Sequence, residues 1–233
     1  MSALIETTTA TNAEGRRRPS FAVAAGAIAL LLAPITAWAA GTLESLALDG
    51  TSPSSDPTAF FAAIAANAGL WNTYGVLMFA MTLFTLAWVP AVWRLTVDRS
   101  PRWAWTAAVI GTLYAIGQMV HLVSWGVLND ALAASAEASA ALAVIEAFES
   151  SWFFVLVFAP YLLGALLAAP LAAVALRRAQ LLHSWSVVVI GVGTVAAVIL
   201  GTDNPVGATV FSVLLITGFA PAVVRVLRDR ASR

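Results

Sequence analysis

Residues 70–95 read LWNTYGVLMFAMTLFTLAWVPAVWRL. From Leu70 to Trp93 no Asp, Glu, Lys or Arg interrupts the run, and Arg94 closes it. About 20 apolar residues in helical form cross the hydrocarbon core of a bilayer. The segment therefore reads as a membrane span over roughly 69–93, ending at a charged surface.

Five more segments of this kind surround it, at roughly 20–41, 103–127, 151–176, 184–201 and 206–226. The composition agrees: of 233 residues, 61% are hydrophobic and 10% charged, where a soluble domain carries about 25% charged residues. A water-soluble chain with so few polar residues has no means of covering its surface. The expected fold is all-α, a polytopic transmembrane bundle of six spans arranged as three helical hairpins.

The arginines orient it. Arg16, Arg17 and Arg18 precede the first span. Arg94, Arg99 and Arg102 separate the second from the third, Arg177 and Arg178 the fourth from the fifth, and Arg225, Arg228, Arg230 and Arg233 close the sixth. All fall on one side, which the positive-inside rule makes cytoplasmic, with both termini there. The expected divisions are a tail at 1–19, a six-helix domain at 20–226 with outer loops at 42–68 and 128–150, and a second tail at 227–233. The membrane expected is the cell (inner) membrane. Glu44, Asp49, Asp56, Asp130, Glu137, Glu146, Glu149 and Asp203 lie on the opposite side, which has no basic residue. An acidic face of this kind attracts cations, although solvation of loops alone accounts for it.

An alternative concerns the start. RRRPSFAVAAGAIALLLAPITAWAAGT (16–42) has a basic beginning, an apolar run and Ala37-x-Ala39, the ingredients of a cleaved secretory signal. The apolar run of about 20 residues exceeds the usual 7–15-residue signal core, which favours an uncleaved span.

Missing residue types exclude chemistry. The chain has no cysteine and no lysine, so disulfides, thiolate metal sites and Schiff-base chromophores are out. His121 and His183 fall at opposite ends of the bundle, too far apart to share a haem. GVGTVA at 191–196 fits a dinucleotide fingerprint but sits inside a span with no strand before it. Nothing points to nucleic acid, and no cofactor is expected.

Loop residues carry helix signals. Asp56-Pro57 is a cap followed by a first-turn proline, so TAFFAAIAANAGLW predicts a short surface helix. The alanine-rich NDALAASAEASAALAVIEAFESS either extends the third helix or folds back over the bundle. Pro90 with Arg94, Pro221 with Arg225 and, more loosely, Pro170 with Arg177 mark the ends of the even-numbered spans. Small residues four apart, Ala22/Gly26, Gly111/Ala115, Gly164/Ala168 and Gly193/Ala197, favour close helix approach.

One face of the third span is unusual. Steps of three and four run through Ala104, Ala107, Gly111, Tyr114, Gln118, His121 and Trp125. Its cytoplasmic half is small, its outer half large and polar. Polar groups at membrane depth turn toward the bundle interior or a water-filled cavity. Tyr114, Gln118, His121 and Trp125, with Asn72 from the second span, are the candidate ligand-binding residues. Thr73, Tyr161, Thr209 and Ser212 are expected opposite. The other reading of His121 is interhelical glue.

The stretch 70–95, the arginine-flanked turn after it and GTLYAIGQMVHLVSWGVL (111–128), preceded by the DPTAF start, resemble small six-span bacterial integral membrane proteins of unknown function, over roughly residues 55–130. The resemblance implies a fold and brings no activity, ligand or site residue. The leading expectation is a non-enzymatic protein that binds or passes a small apolar or amphipathic, lipid-like ligand in the outer half of the bundle. The alternative is a structural or regulatory component acting through another membrane protein. An outer-facing metal-dependent enzyme is the remote third, and no catalytic or metal residue is assigned.

Overall fold

The computed structural model describes residues 19–135, 137–201 and 204–232, so Arg16, Arg17, Arg18, Asp203 and Arg233 lie outside the described residues. Every regular element among the described residues is a helix. The long ones are α1 (Phe21–Leu48), α3 (Ala68–Thr96), α4 (Pro101–His121), α7 (Trp152–Arg178), α8 (Ser184–Leu200) and α9 (Pro205–Ala231). Shorter ones are α2 (Pro57–Ala66), α5 (Leu128–Ser135) and α6 (Ala138–Glu149). A π-helical stretch, Leu122–Val127, joins α4 to α5 without a break.

Five helical segments are long and apolar enough to cross a membrane: Phe21–Leu48, Ala68–Thr96, Pro101–Ala134, Phe154–Arg178 and Pro205–Ala231. The fifth expected span is α8, which has only 17 residues. At 1.5 Å per residue it is about 25 Å long, less than the ~30 Å of a hydrocarbon core. The sides of these helices that face away from the bundle are apolar: Val76, Val155, Leu163, Val188, Val195 and Ile199 are all more than half exposed. Such a surface suits lipid, which asks for no polar atoms.

The long helices pack in chain order as a ring. α1 lies on α3, α3 on α4, α4 on α7, α7 on α8, α8 on α9, and α9 closes back on α1. Chain direction alternates around the ring, so one end collects the links between α3 and α4 and between α7 and α8, together with the start of α1 and the end of α9. The described arginines are at this end. The Arg99 guanidinium donates to the Ala179 carbonyl at 2.6 Å, Arg225 donates to the Gln180 carbonyl, and Arg177 Nε donates to Ser184 Oγ at 3.1 Å. Arg230 lies over the Phe21 ring. The arginines thus tie helix termini together as well as marking a surface. Carbonyls at helix C-termini lack intrahelical partners and accept such donors readily.

The opposite end is capped by α2, α5 and α6. Asp56 caps α2, its side chain accepting from Ala59 N at 3.0 Å, with Pro57 in the first turn. Phe60 and Ile64 of α2 are fully buried, and Ala141 and Ile145 of α6 join them in one apolar cluster with Trp71, Tyr74 and Met78. A second cluster at the arginine end gathers Trp88, Val92, Ala172, Leu176, Ile190 and Phe219. The alanine-rich segment does both things the sequence allowed: α5 extends the third long helix and α6 folds back.

One boundary differs from the sequence reading. The stretch 42–68 is not a loop throughout: α1 continues to Leu48 and stops where Asp49 (φ 46°) and Gly50 (φ 76°) turn left-handed. Glu44 is therefore a residue of a long helix.

Candidate functional site

The face predicted on the third span does point inward. Ala104, Ala107, Gly111 and Gln118 are buried, while Tyr114, His121 and Trp125 are partly buried against cavities. α4 approaches α7 closely because glycines receive the tyrosines. A Cβ on Gly117 would stand 2.5 Å from the Tyr161 backbone, and one on Gly164 would stand 2.6 Å from Tyr114 Cα. Each helix thus offers a glycine to the other's tyrosine. The two phenol rings end up 6.1 Å apart, and the His121 ring stacks on Tyr161.

Beyond His121 the helix widens. The Ser124 hydroxyl donates to the carbonyls of Val120 and His121, at 2.9 and 3.3 Å. A side-chain donor inside the ladder loosens the i to i−4 pattern. Within the widened stretch the Gly126 carbonyl accepts from Trp71 Nε1 at 2.9 Å in a buried setting. The π-helical turn sets the direction of Trp125, whose indole N–H donates to Glu44 Oε1 at 2.5 Å. Phe60 of the cap leans on the same indole.

Two adjoining hollows, each about 370 Å³, occupy the half of the bundle remote from the arginines. They share Glu44, His121 and Tyr161. The inner one is walled by all six long helices, from Tyr74, Met78 and Met81 on α3 to Thr194 on α8 and Phe211 on α9. The outer one lies beneath the cap, between Trp125, Asn129, Phe148, Phe154 and Phe158. A third, of about 50 Å³, continues toward the arginine end past Gln118 and Trp88.

Polar groups here are sparsely paired. Gln118 is 1% exposed, and neither of its amide atoms has a hydrogen bond of ordinary geometry, although the Tyr114 phenol is a polar neighbour. Asn129 is 1% exposed with its Oδ1 unpartnered, and the Tyr74 hydroxyl is likewise buried without a bond. Such groups are costly in an apolar interior, and each calls for an explanation such as a bound molecule or water.

Of the residues singled out from the sequence, Tyr114, Gln118, His121 and Trp125 line these hollows. Asn72 does not: it is exposed on α3, about a quarter turn from Trp71, and lines none of the hollows described. The inward face of α3 instead runs Trp71, Tyr74, Met78, Met81, Thr85 and Trp88, all buried. Tyr161 lines both larger hollows. Ser212 ties α9 to α1 by donating to the Pro34 carbonyl at 2.7 Å, and Thr209 accepts from Trp38 Nε1 at 3.0 Å. The Thr73 hydroxyl is spent on its own helix.

Sequence reasoning misses Glu44, Tyr74 and Asn129. The sequence reading places Glu44 in a loop, yet LESLAL leading to Asp49-Gly50 is a signal that the helix continues. Among the described residues no group of three His, Asp or Glu side chains converges to hold a metal. No family model, curated protein or solved structure matches this chain.

Proposed function

We propose that this is a multi-pass membrane protein that binds a small amphipathic, lipid-like molecule in the half of the bundle away from its arginines. The observation that carries the reading is the inner hollow, walled by all six long helices, apolar on most sides and polar where Glu44, Tyr74, His121 and Tyr161 meet. Small-molecule sites are concave, mainly apolar and supplied with a few convergent polar groups. A bundle evolved only to pack would fill such a space with side chains.

In this reading all six long helices cross the membrane, α8 with local thinning or tilt of its neighbours. The arginine end faces the cytoplasm with both termini, and the membrane is the cell membrane. Glue between helices is the competing role for the His121 face. It accounts for the stacked rings and leaves the hollow unexplained.

The test is native mass spectrometry of protein released from its own membrane, wild type beside Ala165→Trp. Ala165 lines both the inner hollow and the deeper one, so an indole there occupies the space. The expected result is one specific bound mass on the wild type, absent from a variant with unchanged helicity. Should the variant fail to fold, Ala37→Leu, against the same two hollows, takes its place. Bare protein throughout, or equal lipid adducts on both proteins, overturns the reading.

A further inference from the structure

The outer hollow beneath the cap has a chemical bias of its own. Two carboxylates, Glu44 and Glu149, line it, with the aromatic rings of Trp125, Phe148, Phe158 and Tyr161 between them. Among the described residues no arginine reaches this end, and the chain has no lysine. Anions therefore have no counter-charge here. A phosphate or carboxylate head would face two like charges in a partly desolvated space, which is strongly unfavourable.

A cation meets the opposite situation. Aromatic faces attract cations through their quadrupoles, best when water is excluded. A carboxylate beside them adds charge–charge attraction. Asn129 supplies an independent sign: the residue lines this same hollow, and its Oδ1 is buried without a hydrogen-bond donor. An N–H of a bound ammonium would satisfy it. A bare metal ion fits less well, since no three ligating side chains converge and rings replace oxygen ligands.

The neighbouring hollow explains what is attached to the head. It continues from Glu44, His121 and Tyr161 toward Met78, Met81 and Phe211. Its remaining wall is formed by Leu162 and Leu166 of α7 and Val198 of α8, which are 51%, 42% and 64% exposed. Residues that line a hollow and also face outward mark a lateral opening. Here it lies between α7 and α8, onto the surface suited to lipid.

We propose that the site takes a single-chain amphiphile with a protonated amine head. The ammonium sits beneath the cap among Glu44, Asn129, Trp125 and Tyr161, and the hydrocarbon tail lies in the inner hollow, reached between α7 and α8. This rests on the ligand-binding function proposed above and names its ligand class.

Three probes of equal chain length separate head from tail: dodecylamine, protonated at neutral pH, uncharged dodecanol and dodecyl phosphate. Each is titrated into the full-length protein in an uncharged maltoside detergent, and single-adduct occupancy is read by native mass spectrometry. The amine is expected to bind about tenfold more tightly than the alcohol, the size of one charge-assisted hydrogen bond, and the phosphate most weakly. Glu44→Gln keeps an acceptor for the Trp125 indole and removes the charge. It should bring the amine to within about threefold of the alcohol while leaving the alcohol's affinity unchanged. Glu149→Gln, on an exposed position, serves if Glu44→Gln does not fold. Equal binding of amine and alcohol, or an amine preference that survives charge removal, overturns the head assignment while the binding function stands. If none of the three binds, the binding function itself fails.

Discussion

The imidazole of His121 lies flat on the phenol ring of Tyr161, with centroids 4.7 Å apart and planes 6° from parallel. Phe158 leans on both rings. This stack joins α4 to α7 at the boundary shared by the two larger hollows, so it both packs the helices and shapes the site.

Ring area and polarity at His121 are separable. Aromatic pairs contribute about 0.5–1.5 kcal/mol beyond burial, and truncating a packed ring to alanine costs more through the space it leaves. His121→Phe is expected to keep the thermal midpoint of unfolding near wild type, and His121→Ala to lower it by several degrees, corresponding to about 1–3 kcal/mol. Thermal denaturation followed by circular dichroism in detergent checks this. An equal loss in both variants would show that the imidazole nitrogens, rather than the ring, hold the helices.

The stack depends on glycine. Gly117 faces the Tyr161 backbone, and the side chain of Tyr114 covers Gly164. Helices in lipid gain most of their association from close packing, since no hydrophobic drive separates tails from side chains. At Gly117 the obstacle is backbone, which cannot rotate aside. Gly117→Ala should therefore cost about 2 kcal/mol or more. Gly191→Ala, where an added Cβ meets nothing within 4 Å, should be neutral or slightly stabilising through helix propensity. Unfolding of the two variants side by side tests the contrast, and similar losses would refute it.

Much of this architecture is legible in the sequence, because hydrophobic runs and arginines are strong signals. The positions of α3, α4, α7 and α9 follow from run length. The inward face of α4 follows from helical spacing and the cost of polar groups in lipid. What hides is whatever depends on the neighbours. Asn72 looks as suitable as Gln118 by composition, yet α3 turns Trp71 and Tyr74 inward, and Asn72 sits on its other side. Glu44 looks like a loop residue because a carboxylate rarely continues a span; its partner, Trp125, lies 81 residues away. The π-helical turn that brings the pair together has no simple pattern in LVSWGV.

That turn yields a further test. Trp71 Nε1 donates to the Gly126 carbonyl within the widened stretch. Trp71→Phe keeps an aromatic ring but removes the donor together with part of the buried indole. Losing this buried hydrogen bond and part of the ring should cost about 1–3 kcal/mol, so the thermal midpoint should drop by several degrees. The backbone amides of Leu122–Val127 should also exchange hydrogen faster than in the wild type, as the turn loses its outside tie. Faster exchange spread evenly over α4 rather than confined to that stretch would mean that Trp71 supports the helix by packing alone.

The absence of cysteine makes the orientation directly measurable. Single cysteines introduced into an otherwise thiol-free chain report which side of a membrane they occupy. Ser54 lies in the exposed turn between α1 and α2, at the capped end, and Ser232 lies just past α9, at the arginine end. Arginines are retained on the cytoplasmic side during insertion. In intact cells a membrane-impermeant maleimide should label Ser54→Cys, and label Ser232→Cys only after permeabilisation. The link between α7 and α8 offers a third position: Gln180→Cys should behave like Ser232→Cys if α7 and α8 both cross. Labelling of Ser232→Cys from outside, with Gln180→Cys still protected, would mean that the 17-residue α8 fails to span. In that case five helices cross, and the hollow opens to water along α8 rather than to lipid.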